Sequence, residues 1–182
     1  MKKLFYYIWL FIKTLLRLVL KPLSFIPAIV MMYLIFSFSG QNGSSSAALS
    51  YKVTEVIVET VNETADLNLS QAQINAYIER FHYPVRKLAH FTEYMLLAIS
   101  VAFPLYVYGM RGIWLMLFAG AFCVGFAALD EYHQSFVSGR TPSKKDVMID
   151  SCGVFLGIIL TRIIGFIGRK TIFAPLAKKR RY

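Results

Sequence analysis

The stretch PLSFIPAIVMMYLIFSFSG (residues 22–40) carries no charged side chain and is long enough to cross the hydrocarbon core of a bilayer as a helix. Three more apolar segments of similar length follow at residues 87–108, 113–131 and 147–167. Residues 109–112 form a short link, so the two segments that it joins are expected to be antiparallel neighbours. The sequence therefore predicts an all-α membrane protein that contains a four-transmembrane-helix bundle.

The composition of the chain supports a membrane protein and excludes two other classes. Of its 182 residues, 57% are hydrophobic and 16% are charged, whereas soluble domains average about 25% charged residues. The two cysteines lie within apolar segments, which excludes a small domain held together by disulfides. The net charge is +10, but the basic residues follow the membrane topology, so no nucleic-acid partner is expected.

The basic residues also predict the orientation of the bundle. If the N-terminus lies inside, all 10 acidic residues fall on the outer side, and the inner side is strongly basic, as the positive-inside rule requires. Both termini are then cytoplasmic, and residues 169–182 form a basic cytoplasmic tail that anionic inner-leaflet lipids attract. The basic residues on the inner side are Lys2, Lys3, Lys13, Arg17, Lys21, Arg111, Arg162, Arg169, Lys170, Lys178, Lys179, Arg180 and Arg181.

Residues 1–21 are predicted to form a separate amphipathic helix at the cytoplasmic interface. Lys13, Arg17 and Lys21 are four residues apart and share one helical face, opposite a face of aromatic and aliphatic side chains. Charges in the middle of so short a segment disfavour a span, and Pro22 is expected to separate this helix from the first span. A signal peptide is the alternative, although no small-residue cleavage site follows.

The connection at residues 41–85 is too long for a simple loop and is predicted to form an outer helical cap. Its apolar residues follow helical spacing in two places, which indicates two short extracytoplasmic helices on the outer surface. Ser70 and Gln73 resemble a capping box at the start of the second helix, and Pro84 suits the first turn of the following span. The cap could cover a site between the spans or only pack against the bundle.

Ionisable residues at the outer ends of the spans are the candidates for function. Arg86, His90 and Glu93 share one face of the second span because they are spaced at i, i+4 and i+7. Charged groups at membrane depth are costly and usually face the bundle interior or a wet cavity. Antiparallel packing is therefore expected to assemble one outward-facing cluster. Its nine members are Arg86, His90, Glu93, Asp130, Glu131, Gln134, Arg140, Asp146 and Asp150.

Two glycines follow this cluster in the fourth span. Gly153 and Gly157 continue the helical face of Asp146 and Asp150 as a small-xxx-small ridge. Such a ridge lets a neighbouring helix come close, so the sequence predicts tight helix packing directly beneath the polar cluster.

Three stretches of sequence are typical of one protein family. They are FSFSGQNGSSS (36–46), RKLAHFTEYMLL (86–97) and LDEYHQSFVSGRTPSKKDVMIDSCGVFLG (129–157). These motifs resemble the VanZ-like family of bacterial membrane proteins, and the resemblance extends over residues 22–168. It implies a multi-pass protein of the bacterial cytoplasmic membrane that acts in the cell envelope. Because the family is named for a protein of low-level teicoplanin resistance, it also implies a role in glycopeptide resistance.

The polar cluster is compatible with a membrane enzyme. Such an enzyme would hydrolyse or transfer a lipid phosphate and would need an acid, a base and a group that neutralises the developing charge. A divalent metal is a possible cofactor, but the carboxylate-rich set does not identify it. The residues predicted to be catalytic are His90, Glu93, Asp130 and Glu131.

Two other functions stay open for the same cluster. It could bind an envelope lipid, such as a phospholipid or a lipid-linked wall precursor, without turnover. It could also have no chemistry if Lys87 and the arginines pair with acidic residues and hold the helices together. The residues predicted to bind a substrate or ligand are Arg86, Gln134, Arg140, Asp146 and Asp150.

Overall fold

The computed structural model describes residues 2–170, in which every regular element is a helix. Four helical stretches are long and apolar enough to cross a membrane, namely Leu18–Ser39, Gln71–Val107, Gly112–Gln134 and Lys144–Arg169. The predicted all-α fold with four transmembrane helices is therefore confirmed. The six helices are α1 (Lys2–Leu23), α2 (Ile26–Ser39), α3 (Gly43–Thr64), α4 (Gln71–Val107), α5 (Gly112–Gln134) and α6 (Lys144–Lys170).

The break between α1 and α2 comes just after its predicted position. α1 continues through Pro22 to Leu23, and a turn at Ser24 and Phe25 separates it from α2. A proline in the last turn of a helix removes only its own N–H donor, whereas Pro27 suits the first turn of α2. The last turn of α1 therefore forms part of the first membrane-spanning stretch.

Of the three basic residues predicted to share one face of α1, only Lys21 has a described side chain. The side chains of Lys13 and Arg17, and the basic tail at residues 171–182, lie outside the described residues. The Lys21 ammonium lies 5.3 Å from the centre of the Tyr108 ring. The Tyr108 hydroxyl also donates to the Lys21 carbonyl oxygen at 3.1 Å. These contacts attach the end of α1 to the end of α4.

α4 differs from the prediction, because the second cap helix and the second span form one continuous helix. It begins after Ser70, whose backbone N–H donates to the Gln73 side chain at 2.9 Å, so the predicted capping box is confirmed. Its 37 residues give it a length of about 55 Å. The predicted start of a separate span at Pro84 is wrong. Proline removes one helical hydrogen bond, to the carbonyl of Arg80, and the helix continues past that single loss.

The cap is a helical hairpin in which α3 packs antiparallel to the first half of α4. The Tyr51 and His82 rings stack at 4.1 Å, and the Tyr51 hydroxyl donates to Glu79 at 2.7 Å. The buried residues of α3 and of the first half of α4 are Ser50, Thr54, Ile74 and Ile78. Because α4 continues into the bundle, the cap is a direct extension of a transmembrane helix.

The bundle core lies where α4 and α6 approach each other most closely. Gly153 lies against the backbone of Phe91, and Gly157 lies against the backbone of Met95. The close packing predicted from the glycine ridge is therefore confirmed. The same turns bury Tyr94, Leu97, Ala98, Val154 and Ile158. This packing fixes the register of α4 against α6, and with it the polar residues just beyond the ridge.

Candidate functional site

The structure brings the nine predicted polar residues together at one end of the bundle. We call this the polar end, where α5 ends at Gln134 and α6 begins at Lys144. α4 passes through it with Arg86, His90 and Glu93. Eight of the nine residues line two adjoining cavities. The sequence therefore predicted which residues meet, although their roles stay predictions.

The larger cavity, here called the groove, has a volume of about 130 Å³. It lies between the end of α2, the start of α3, the middle of α4 and the loop before α6. Its charged or ionisable residues are Arg86, His90, Glu93 and Arg140. Its other lining residues are largely apolar and comprise Phe38, Gln41, Ser46, Leu49, Ser50, Val53, Val85 and Ala89. The groove thus combines two guanidinium groups with an apolar wall.

The smaller cavity, here called the polar chamber, has a volume of about 10 Å³, which is close to the space that one water molecule needs. It lies between α4, α5 and α6. Its lining residues are Arg86, Lys87, His90, Glu131, Gln134, Asp146, Ile149 and Asp150. Arg86 and His90 line both cavities, so the chamber and the groove meet at these two side chains.

Neither guanidinium in the groove forms an ion pair with a carboxylate of the described residues. Arg140 donates from Nε to the Gln41 carbonyl oxygen at 3.1 Å and from Nη2 to the Phe38 carbonyl oxygen at 3.3 Å. Within residues 2–170, Arg140 Nη1 and Arg86 Nε are buried without a hydrogen-bond partner, and neither arginine forms an ion pair. Burial lowers the pKa of Arg140 and the positive charge of Arg86 lowers it further, whereas the charges of Asp130, Glu131 and Asp146 oppose this shift. Two close cations with unused donors suit an anionic ligand.

Lys87 forms an ion pair of the kind expected if the polar cluster only holds the helices together. Its Nζ lies 2.5 Å from Asp146 Oδ1 and joins α4 to the start of α6. Glu131 has a structural contact as well, because it accepts the backbone N–H of Ser143 at 2.5 Å just before α6 begins. These two contacts hold the helix ends in place and leave the arginines of the groove unpaired.

His90 and Glu93 are neighbours within the groove. His90 Nδ1 lies 3.6 Å from Glu93 Oε2, one helical turn along α4. Both side chains are only partly buried, at 20% and 27% exposure. An imidazole beside a carboxylate can act as an acid–base pair, and here the pair faces the same space as the two arginines.

Asp130 lines neither cavity and lies deeper in the bundle. It is 4% exposed, and its Oδ2 accepts a hydrogen bond from Gln134 Nε2 at 3.2 Å. The buried hydroxyls of Ser39 and Tyr94 lie near the same carboxylate, but neither forms a hydrogen bond within the described residues. Sequence reasoning missed these two hydroxyls, although both lie inside the family motifs. Because Gln134 lines the chamber, Asp130 can position that side chain without reaching a ligand.

The loop that carries Arg140 is fixed by the start of α3. The backbone N–H of Gly43 donates to the Ser138 carbonyl at 3.0 Å. A Cβ at Gly43 would collide with the carbonyl oxygen of Gly139, and Gly139 has a φ of +73°, which favours glycine. This close backbone crossing sets the position of the Arg140 guanidinium over the groove.

The polar end does not offer a ready-made metal site. Within residues 2–170, no three His, Cys, Asp or Glu side chains are grouped so that they could hold a metal ion. The imidazole of His133, a conceivable extra ligand, stacks on Phe36 with the ring centres 4.3 Å apart. A divalent metal as cofactor therefore stays a prediction, and the donor set present does not support it.

Comparison with known proteins identifies the family. The family model described as VanZ/LLP1 matches residues 24–165, which include all nine polar residues. The chain belongs to the VanZ/LLP1 family. The match confirms the family predicted from the sequence motifs and, together with the four spans, a multi-pass membrane protein. No curated protein and no solved structure matches the chain.

Proposed function

We propose that this VanZ/LLP1 family protein binds the phosphate-bearing headgroup of an envelope lipid or lipid-linked wall precursor. The observation that carries the proposal is the pair of guanidiniums, Arg86 and Arg140, which line one groove without a carboxylate partner in the described part of the chain. Guanidinium groups bind phosphate through paired, charge-assisted hydrogen bonds. Each guanidinium also keeps one nitrogen that has no hydrogen-bond partner in the described part of the chain.

The apolar wall of the groove supports a lipid rather than a free anion. Leu49 and Val53 of α3 and Val85 and Ala89 of α4 line it beside the two arginines. A headgroup in the groove would place its phosphate between the guanidiniums and its hydrophobic part against this wall. The cap hairpin is then one side of the binding site.

The distribution of charge along the chain supports a site at the outer face of the bacterial cytoplasmic membrane. All 10 acids and the groove belong to the side opposite the basic termini, and the positive-inside rule makes the basic side cytoplasmic. A protein that holds a wall precursor there would change its access to other molecules. Low-level resistance to glycopeptides of the teicoplanin type would follow from that effect.

Binding of a polyprenyl phosphate to the purified protein tests the proposal, with the uncharged polyprenol as the matched ligand. We expect Arg86→Gln and Arg140→Gln each to weaken binding of the phosphate about tenfold, the equivalent of about 1.4 kcal/mol. Arg80→Gln is the control, because Arg80 is exposed on the same helix outside the groove. Equal affinity for phosphate and polyprenol, or unchanged affinity in both groove variants, would overturn the proposal.

The His90–Glu93 pair favours hydrolysis of a lipid phosphate ester as a second candidate. Water would attack phosphorus, with its proton passing to Glu93 or His90, and the P–O ester bond would break as the leaving oxygen takes a proton from the other group. The arginines would stabilise the charge that develops on the phosphate oxygens. In this mechanism the pair acts as acid and base, and no metal takes part in any step.

Release of inorganic phosphate from the polyprenyl phosphate separates the enzyme from the binder. If the protein is a hydrolase, His90→Gln should lower the rate at least about a hundredfold, the usual contribution of a general acid or base, while binding changes little. Arg80→Gln again serves as the control. Absence of turnover in the wild type, or a His90→Gln variant at the wild-type rate, would exclude this mechanism and leave binding as the function.

A further inference from the structure

A third cavity lies at the opposite end of the bundle and has a volume of about 440 Å³. We call this the basic end, where α4 ends at Val107 and α5 begins at Gly112. Its walls come from the last turn of α4, the short link to α5 and one face of α6. The residues that matter here are Tyr106, Arg111, Ile159, Arg162, Ile163 and Arg169.

Among residues 2–170, none of the three arginines of this cavity forms an ion pair with an acidic side chain. Arg111 lies over the Tyr106 ring at 5.3 Å, and Arg162 donates to the Met116 sulfur at 3.2 Å. The last of the 10 acids in the chain is Asp150. It precedes Arg162 by 12 residues of α6, which places it about 18 Å away along the helix axis. Asp150, the nearest acidic residue of α6, therefore lies too far along the helix to pair with Arg162.

In a bilayer, the arginines of this cavity would need an anionic partner near the membrane interface. Arg162 and Arg169 are two turns apart on α6, about 10 Å along the axis, so Arg162 lies on the membrane side of the cavity. An arginine at such a depth is costly unless it is paired or reaches polar headgroups. A bound phosphodiester would supply the missing counter-charge at this depth.

The remaining wall of the cavity is apolar and preformed. Ile159 and Ile163 lie on the same face of α6 as the arginines, and a Cβ at Gly165 would collide with the Tyr106 ring, so α4 and α6 are in close contact here. A small anion would leave the isoleucines uncovered, whereas the glycerol backbone and acyl chains of a phospholipid would cover them. We infer that this cavity binds the headgroup of an anionic phospholipid.

This lipid site is independent of the groove and of the function proposed for it. The groove lies beside the middle of α4 and this cavity lies at its end, and the two share no lining residue. The lipid would tie the ends of α4 and α6 to the link before α5, and so would stabilise the bundle on its basic side. Basic pockets between transmembrane helices bind anionic headgroups by the same chemistry.

Native mass spectrometry of the protein released from mixed bilayers of phosphatidylcholine and phosphatidylglycerol tests the inference. The wild type should retain phosphatidylglycerol in preference to phosphatidylcholine. Arg111→Gln combined with Arg162→Gln should lower the retained phosphatidylglycerol about tenfold. Lys52→Gln combined with Arg80→Gln removes the same charge from the exposed cap and should leave retention unchanged.

Three results would overturn the inference. Equal retention by both double variants would mean that the arginines of the cavity do not hold the lipid. Equal retention of the two lipids would indicate that the cavity binds acyl chains and does not recognise the headgroup. Thermal stabilisation by inorganic phosphate as large as that by phosphatidylglycerol would indicate a simple anion site. Arg111→Gln alone, in a link outside the helices, keeps the test valid if the double variant does not fold.

Discussion

Replacement of Gly157 by leucine should prevent the bundle from packing. A side chain at this position would enter the space of the Met95 carbonyl, which is backbone and cannot rotate away, and would press on Ala98. α4 and α6 would have to separate at the centre of the core, where Leu97, Ala98 and Ile158 are fully buried. Overpacking of this kind should destabilise the fold by about 3 kcal/mol or more.

The measurement is the yield of monodisperse protein in detergent together with its melting temperature. Gly125→Leu is the matched control, because nothing lies within 4 Å of a Cβ at Gly125 on α5. That variant should fold as well as the wild type, since leucine is also the better helix former. Normal yield and melting temperature for Gly157→Leu would show that the close packing of α4 and α6 is not needed for folding.

Much of this fold follows from hydrophobicity alone. An apolar segment such as residues 22–40 has few alternatives to crossing the bilayer as a helix, because only a helix satisfies its backbone hydrogen bonds there. The residues at which helices begin and end are less well determined by the local sequence. Pro84 was expected to start a span, yet it lies inside α4, because packing against α3 on one side and the bundle on the other supports the helix across it.

The candidate site was predictable as a set of residues but not as a geometry. Helical spacing places Arg86, His90 and Glu93 on one face, and antiparallel spans bring that face to the other polar helix ends. The spacing does not say which ion pairs form. Lys87 reaches Asp146, while Arg140 bonds to backbone carbonyls at the end of α2. That choice depends on the Gly43–Gly139 crossing, which joins parts of the chain far apart in sequence.

The unpaired arginines are not what a purely structural cluster would lead one to expect. In a cluster that only holds helices together, each buried charge would be matched by an opposite one, because an unmatched charge is costly. Lys87 and Asp146 meet that description. Arg86 and Arg140 do not, within the part of the chain described. A phosphate bound between the two guanidiniums would offset the free-energy cost of burying them without a counter-charge.

We expect the carboxylate of Asp130 to stabilise the fold by accepting a buried hydrogen bond. Replacement by alanine would remove the acceptor of Gln134 Nε2 and leave this buried amide N–H without its partner. Each buried polar group that loses its partner costs about 1–3 kcal/mol, so Asp130→Ala should lower the melting temperature by roughly 5–10 °C. Asp130→Asn keeps an acceptor and nearly the same volume, and should melt close to the wild type.

Thermal unfolding of both variants in one detergent checks this expectation, with Glu55→Ala as the control for loss of an acidic residue. Glu55 is exposed on α3, so its removal should have no effect. An asparagine variant as unstable as the alanine variant would contradict the hydrogen-bonding role, because asparagine keeps an acceptor oxygen for Gln134 Nε2 and alanine does not. If Asp130→Asn is stable and still binds the polyprenyl phosphate, Asp130 positions Gln134 beside the chamber; if it is stable but no longer binds, the carboxylate itself takes part in the site.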